Sequence, residues 1–247
     1  MLGPGFYNMD CMEAMKEYPD KYFELAIVDP PYGIGADNFK NGAGDKRFPN
    51  FEPTAVKAKK KNRLNQGGGK LRSRKLLDSD CSWDVAPTKE YFNELFRVSR
   101  NQIIWGGNYF PLPPTRCFVV WDKLQSWENF SQAELAWTSF DKPAKVFSYC
   151  NRRAGQGAFH PTQKPIELYK YLLGHFAKPG DKILDTHVGS ASSLIACHQM
   201  GFEFTGFEIN EQYYKEAKQR LDRELAQVTM YEMITGGEKH ETAGTEP

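Results

Sequence analysis

The stretch ELAIVDPPYG, residues 24–33, contains an apolar run, Leu25 to Val28, that stops at Asp29 and two prolines. A short uninterrupted apolar run is typical of a strand that is buried on both faces, as in a parallel sheet. Proline fixes the backbone angle φ and lacks an N–H donor, so this strand is expected to end in a rigid turn. A second such strand, followed by a glycine loop, is predicted in DKILDTHVGS, residues 181–190.

Strands and helices alternate around these two stretches. Further strands are predicted at 5–8, 101–106, 117–122, 133–139, 145–149 and 202–207, and helices at 11–17, 88–98, 164–177, 190–199 and 210–225. This alternation predicts an α/β protein with a mostly parallel sheet. Ligands of such sheets bind at the carboxyl ends of the strands, where Asp29 and Asp185 stand.

Composition limits the class of protein. The 247 residues are 40% hydrophobic, which suits one domain that carries an insertion. No apolar run approaches the ~18 residues of a membrane span, and residues 1–10 lack the pattern of a signal peptide. The five cysteines are widely spaced without a CxxC pair, so neither a metal site nor a disulfide framework is expected. We therefore predict a cytoplasmic protein without membrane contact.

Charge is concentrated in one segment. Residues 57–75 carry a charge of +9 in a chain whose net charge is +1, which leaves −8 for the remainder. Such a basic strip is expected to contact nucleic-acid phosphates, although a solvated loop without a partner is the alternative. The candidate contacts are Lys57, Lys59, Lys60, Lys61, Arg63, Lys70, Arg72, Arg74 and Lys75. The wider stretch 36–87 is predicted to be a mobile insertion, and 236–247 a disordered tail.

The turn at 29–32 is a candidate catalytic element made of Asp29, Pro30, Pro31 and Tyr32. Its carbonyls are acceptors with little freedom, Asp29 adds a carboxylate, and Tyr32 adds a flat ring for stacking. Two acceptors on the hydrogens of an aromatic amine draw its nitrogen toward sp³ geometry, so that the lone pair points out of the ring. The turn thus suits an amino group on a flat heterocycle, with an ordinary capped turn as the alternative.

The loop after residue 184 indicates a nucleotide-type cofactor. Gly189 allows a tight turn, and Ser190 begins a helix whose N–H groups favour an anion. Glu208 follows about 20 residues later, where an acidic residue commonly binds ribose hydroxyls. The segment HPTQKP, 160–165, can reach the same pocket, and Thr162 and Lys164 suit a carboxylate. An ordinary strand–helix connection and a helix cap are the alternatives.

Four motifs in one order carry a resemblance: DPPY at 29–32, HPTQKP at 160–165, DTHVGS at 185–190 and FEIN at 207–210. The chain resembles the beta class of DNA amino-methyltransferases, the group of adenine-N6 and cytosine-N4 enzymes. The resemblance implies a Rossmann-like methyltransferase fold with a seven-stranded mixed sheet between helices, circularly permuted. The catalytic domain would comprise 1–35 and 88–235, with a target-recognition region at about 122–159.

The resemblance also implies the roles of individual residues. The cofactor would be S-adenosylmethionine, without a metal, and the turn at 29–32 would hold a base flipped out of the duplex. The implied cofactor contacts are Asp10, Cys11, Asp29, Thr162, Gln163, Lys164, Asp185, Gly189, Ser190 and Glu208. Thr186, His187 and Ala191 replace the proline, phenylalanine and last glycine of the family's loop.

Aspartate before Pro-Pro-Tyr goes mostly with adenine in this family, so N6 of adenine is the expected target and N4 of cytosine the alternative. Double-stranded DNA in a bacterial or phage-infected cell is the implied partner, with Arg152 and Arg153 as further contacts. A homodimer and a restriction-endonuclease partner are left open. The rival hypotheses are an RNA or protein-glutamine substrate and a nucleic-acid-binding relic that has lost its cofactor.

Overall fold

A computed structural model describes residues 1–33, 84–125, 131–150 and 163–235. The strands are β1 Gly5–Tyr7, β2 Phe23–Val28, β3 Ser99–Trp105, β4 Phe118–Asp122, β5 Ala133–Thr138, β6 Lys145–Ser148, β7 Lys182–Asp185 and β8 Glu203–Phe207. The helices are α1 Cys11–Lys16, α2 Lys89–Val98, α3 Ile166–Phe176, α4 Ser192–Gln199 and α5 Glu211–Thr235. Each predicted strand and helix has a counterpart, but α5 runs ten residues further than predicted.

All eight strands form one sheet in the order β1-β8-β7-β2-β3-β5-β4-β6. Strand β5 is antiparallel to β3 and β4, whereas the other neighbours are parallel. The prediction of an α/β fold with a mixed sheet is confirmed. The implied count of seven strands was one too few, because β6 adds an eighth strand at the edge beside β4.

The chain enters the sheet as expected for a permuted fold. Strand β1, near the N-terminus, pairs in parallel with β8, so that Tyr7 lies opposite Phe207. Just beyond this pair, the Asn8 amide donates to the Glu208 carbonyl oxygen at 2.7 Å. The N-terminal segment therefore completes the same sheet edge as the last strand, and residues 8–11 reach the loop after β8.

Helices cover both faces of the sheet. Helix α3 buries Leu168 and Leu172 against β2, β3 and β7 on one face, while α1 and α2 bury Met15 and Leu95 against the other. Helix α2 does so because its apolar residues recur at helical spacing, from Tyr91 to Val98. Within the described ranges, no helix is long and apolar enough to cross a membrane.

Two boundaries explain how the loops are placed. The prediction began α3 at 164, but Pro165 is extended (φ −69°, ψ 146°) and the helix starts at Ile166. The prediction began α4 at 190, whereas the loop after β7 continues to Ala191. Of the predicted insertion 36–87, only 84–87 belongs to the described residues, and the predicted tail at 236–247 lies outside them.

Candidate active site

A cavity of about 490 Å³ opens at the carboxyl ends of β2, β7 and β8. Its volume falls in the range of ~300–1,000 Å³ that is usual for small-molecule sites. The predicted residues that line it are Asp10, Cys11, Asp29, Pro30, Pro31, Tyr32, Lys164, Gly189, Ser190 and Glu208. The proline turn and the glycine loop, 156 residues apart in the chain, thus face one space.

Asp29 is held at both carboxylate oxygens. The Tyr32 hydroxyl donates to Oδ1 at 2.8 Å, and the ammonium of Lys164 contacts Oδ2. Burial and the Asp29 charge raise the pKa of Tyr32 well above its usual value, so its phenol keeps the proton that it donates. The carboxylate is therefore fixed in orientation, and each oxygen retains acceptor capacity beyond the contact that it makes.

The ring of Tyr32 lies in a slot at the end of β3. It stacks on Tyr109 with centroids 5.0 Å apart and meets Phe110 edge-on at 6.2 Å. Gly106, at φ 68°, closes the slot, because a Cβ atom there would stand 2.3 Å from Cε1 of Tyr32. The sequence reading missed Gly106 and Tyr109, although two glycines directly after a strand, in WGGNYF, were the available signal.

Lys164 is the most deeply buried charge of the site, with 3% of its side chain exposed. Its ammonium contacts Asp29, lies 3.2 Å from Oε2 of Glu134, and sits 5.2 Å from the ring centre of Trp105. Burial acts to lower the pKa of Lys164, but the two carboxylates outweigh it and raise the pKa above its usual value. The expected contact of Lys164 with a cofactor carboxylate stays a prediction, because its described partners are protein carboxylates.

Asp185 is not among the residues that line the cavity, and its expected contact with the cofactor stays a prediction. Its carboxylate turns under the glycine loop, where it accepts the His187 N–H at 3.0 Å and the Ser193 hydroxyl. Burial raises the pKa of Asp185 to about 7. Gln163 also lies outside the cavity lining, buried beside Lys164. By accepting from His187 and Ser193, Asp185 stabilises the conformation of the glycine loop.

Glu208 joins two of the loops that line the cavity. It follows β8 and accepts the Gly189 N–H at 3.0 Å through one oxygen and the Asn210 N–H at 2.9 Å through the other. Burial raises the pKa of Glu208. At the neighbouring end of β1, Asp10 caps α1 by accepting the Met12 N–H at 2.8 Å, and burial raises the pKa of the Cys11 thiol to about 12. Cys11 is thus a neutral thiol.

The loop residues that depart from the family pattern form a chain of contacts of their own. The Thr186 hydroxyl lies 2.6 Å from the Tyr91 hydroxyl and 2.9 Å from Nδ1 of His187. His187 lines the cavity, and burial lowers its pKa to about 4, so the imidazole is neutral near pH 7. Ala191 is fully buried at φ 61°, a left-handed conformation in which the family's glycine carries no steric penalty.

Several predicted residues cannot be located against the cavity. The basic strip at 57–75, Thr162, Arg152 and Arg153 all lie outside the described residues. The described parts of the predicted recognition region, 122–125 and 131–150, comprise the end of β4, β5, β6 and their flanking residues. From β5 comes Glu134, a cavity residue that the sequence reading did not single out.

Comparison with known proteins supports the family that the four sequence motifs resemble. Residues 50–219 match the N6/N4 family model described as DNA methylase. The protein YubD of Escherichia coli (strain K12) is 23% identical over 223 residues, which cover 87% of this chain and 89% of YubD. The Type II methyltransferase M2.DpnII of Streptococcus pneumoniae is 38% identical over 150 residues, 61% of this chain and 52% of that enzyme. The solved structure of the cytosine-N4-specific PvuII DNA methyltransferase aligns with 96% of this chain and 94% of that enzyme at 13% identity. The TM-score of 0.51 reflects a shared fold.

Proposed function

Since the chain belongs to the N6/N4 family of DNA methylases, we propose that it methylates the N6 amino group of adenine in double-stranded DNA. Its substrate is DNA and its cofactor is S-adenosylmethionine. The observation that carries the proposal is the cavity of about 490 Å³ that residues 29–32 and the loop around Gly189 line together. Methyl transfer needs donor and acceptor side by side in one such space.

The lining residues fit the cofactor. Each oxygen of Glu208 accepts one loop N–H and keeps acceptor capacity for a ribose hydroxyl. Gly189 allows the cofactor to approach the loop backbone closely. Asp10 and Cys11 also line the cavity, and we assign them to the adenine ring of the cofactor. When bound, S-adenosylmethionine supplies a methyl group on a positively charged sulfonium. Because these residues occupy one cavity, we assign cofactor binding to Asp10, Cys11, Gly189, Ser190 and Glu208.

The turn at 29–32 would hold the base. Asp29 and the Pro30 carbonyl accept the hydrogens of the amino group, which leaves the nitrogen lone pair directed away from the ring plane. Tyr32 and Lys164 keep the carboxylate in place before the base arrives, so little reorganisation is needed. Because Tyr32 is stacked on Tyr109, we propose that the base ring enters against this aromatic pair rather than on an open tyrosine face.

The choice of adenine rests on Asp29, since the family's cytosine-N4 enzymes more often carry serine at that place. The test is digestion of methylated duplex DNA to nucleosides and their separation by mass. N6-methyl-2′-deoxyadenosine as the product supports the proposal, whereas N4-methyl-2′-deoxycytidine would replace it with the cytosine alternative. Tritiated methyl uptake into RNA or protein in preference to DNA would contradict the substrate class.

Phosphate contacts are proposed for the strip at 57–75 and for Arg152 and Arg153. Each neutralised phosphate adds about −0.9 to the slope of log K against log salt for duplex DNA. Glutamine at Arg72, Arg74 and Lys75 should therefore flatten the slope by about 2–3. An unchanged slope would remove these residues from the proposed interface. Homodimerisation and pairing with a restriction endonuclease remain proposals that the family resemblance suggests, and sedimentation tests the first of these.

A further inference from the structure

Glu134 is a carboxylate that lines the cavity without belonging to any of the four motifs. It lies on β5, opposite Trp121 of β4. Two lysines meet it: the ammonium of Lys123 at one oxygen and that of Lys164, 3.2 Å away, at the other. Lys164 in turn contacts Asp29. Four alternating charges thus run from the strand end of β4 to the acceptor turn, in the order Lys123, Glu134, Lys164, Asp29.

The buried lysine in this chain requires both carboxylates. A cation removed from water costs several kcal/mol unless charges and hydrogen bonds compensate it. Only 3% of the Lys164 side chain is exposed, and Asp29 and Glu134 lie on it at once. Lys164 approaches Oε2 of Glu134 as an ion pair, and this oxygen receives no well-aligned hydrogen bond from the described residues. Glu134 therefore acts on Lys164 mainly through its charge.

Glu134 gives the buried ammonium a second carboxylate. Without it, the ammonium of Lys164 would pair with Asp29 alone among the described residues. With it, the ammonium is shared between two carboxylates, while Lys123 balances the charge of Glu134, so the four groups together carry no net charge. A shared ammonium holds Asp29 in orientation while leaving it a strong acceptor for an amino hydrogen.

We propose that Glu134 is a positioning residue for methyl transfer, which acts through Lys164 to orient Asp29. This inference rests on the proposed function. Glu134 touches neither the base nor the cofactor in this role. The variant Glu134→Gln keeps the size of the side chain and removes the charge, so it isolates the effect.

The first test measures single-turnover methyl transfer to duplex DNA at saturating cofactor, together with cofactor affinity and Tm. Glu134→Gln should lower the rate constant by about 10- to 100-fold, the loss expected of a misplaced catalytic group. Cofactor Kd should change by less than about twofold, because the cofactor-side residues are untouched. Glu167→Gln is the matched control, since it breaks a surface ion pair with Lys170 and should leave the rate unchanged.

A double-mutant cycle tests the route through Lys164. If Glu134 acts through that lysine, Glu134→Gln should lower the rate no further once Lys164→Met is present. Independent, multiplicative losses from the two substitutions would overturn the proposal, as would a normal rate in Glu134→Gln itself.

A crystal structure of Glu134→Gln separates this proposal from the proposed function. We expect the Lys164 ammonium and the Asp29 carboxylate to move from their present contact. If both stay in place to within coordinate error, Glu134 is not a positioning residue, whatever the enzyme methylates. If the wild-type protein transfers no methyl group to DNA, the proposed function fails, and the structure alone decides whether Glu134 orients Asp29.

Discussion

Replacing Gly106 by alanine should push Tyr32 away from Asp29. The added Cβ would lie 2.3 Å from Cε1 and 2.6 Å from Cδ1 of the ring, so the ring must retreat by about 1 Å to reach ordinary contact. Tyr109 covers the ring on another side and Phe110 meets it edge-on, which restricts its escape. The hydrogen bond from the Tyr32 hydroxyl to Asp29, 2.8 Å long, is the contact that this movement breaks.

Two costs add in this variant. The backbone at φ 68° costs an alanine about 1–2 kcal/mol, and overpacking against the ring costs typically about 1–3 kcal/mol. Together they destabilise the protein by roughly 2–5 kcal/mol, which for a chain of this size lowers Tm by about 5–15 °C. Because a shift of ~1 Å at a catalytic group can cost about 100-fold, methyl transfer should fall by 10- to 100-fold at a temperature where the variant is folded.

Gly201→Ala separates the two costs. Gly201 has a similar backbone angle, φ 74°, but no atom lies within 4 Å of the position that its Cβ would take. It should therefore show the strain alone, a smaller loss of Tm and normal activity. The assay is differential scanning fluorimetry with single-turnover methylation for both variants. Equal losses of Tm and equal activity in the two would refute the view that Tyr32 is held in place by a glycine slot.

Two further predictions concern pH. Burial raises the pKa of Asp185 to about 7, so the folded state binds the carboxyl proton more tightly than the unfolded state, and the stability that this gives is lost as pH rises from about 4 to 7. The free energy of unfolding of Asp185→Asn should therefore rise relative to wild type between pH 5 and pH 8 in urea unfolding. A difference between the two proteins that does not change with pH would contradict this. Burial lowers the pKa of His187 to about 4, so the unfolded state takes up that proton first as pH falls from about 6.5. The free energy of unfolding of His187→Phe, relative to wild type, should therefore be higher at pH 5 than at pH 8, which is the opposite of the trend for Asp185→Asn. An equal difference in the free energy of unfolding at both pH values would argue against a buried neutral imidazole.

The main features of the site could be predicted from local pattern because three of the four motifs, DPPY, DTHVGS and FEIN, lie at strand ends. The runs before Asp29 and Asp185 are apolar, and parallel strands bring such ends to one edge of a sheet. Glu208 was found in the same way, by its distance from Gly189. Each strand could be predicted from its own apolar run, whereas the count of seven strands was implied by the family resemblance and was one too few.

What the sequence reading missed depends on contacts between distant segments. Glu134 lies in AELAWT, an ordinary strand, and its partner Lys164 is 30 residues away in an extended segment before α3. No local spacing marks such a pair. The direction of the Asp185 side chain could not be predicted, because a carboxylate at a strand end can turn into the cavity or under the loop. Its hydrogen bond with Ser193 holds it under the loop. Gly106 is needed because the ring of Tyr32, 74 positions earlier in the chain, packs against its Cα, and local sequence does not show this contact.

The most direct measurement compares wild type and Asp29→Ala for two quantities, cofactor affinity by calorimetry and tritiated methyl uptake into duplex DNA. We expect the variant to bind S-adenosylmethionine about as tightly as wild type and to transfer no measurable methyl group, because the acceptor turn has lost its carboxylate while Glu208 and the glycine loop remain. Methylation at the wild-type rate by Asp29→Ala would contradict this expectation. Failure of the wild-type protein to bind the cofactor at millimolar concentration would instead favour the relic, a protein that keeps the fold without the reaction.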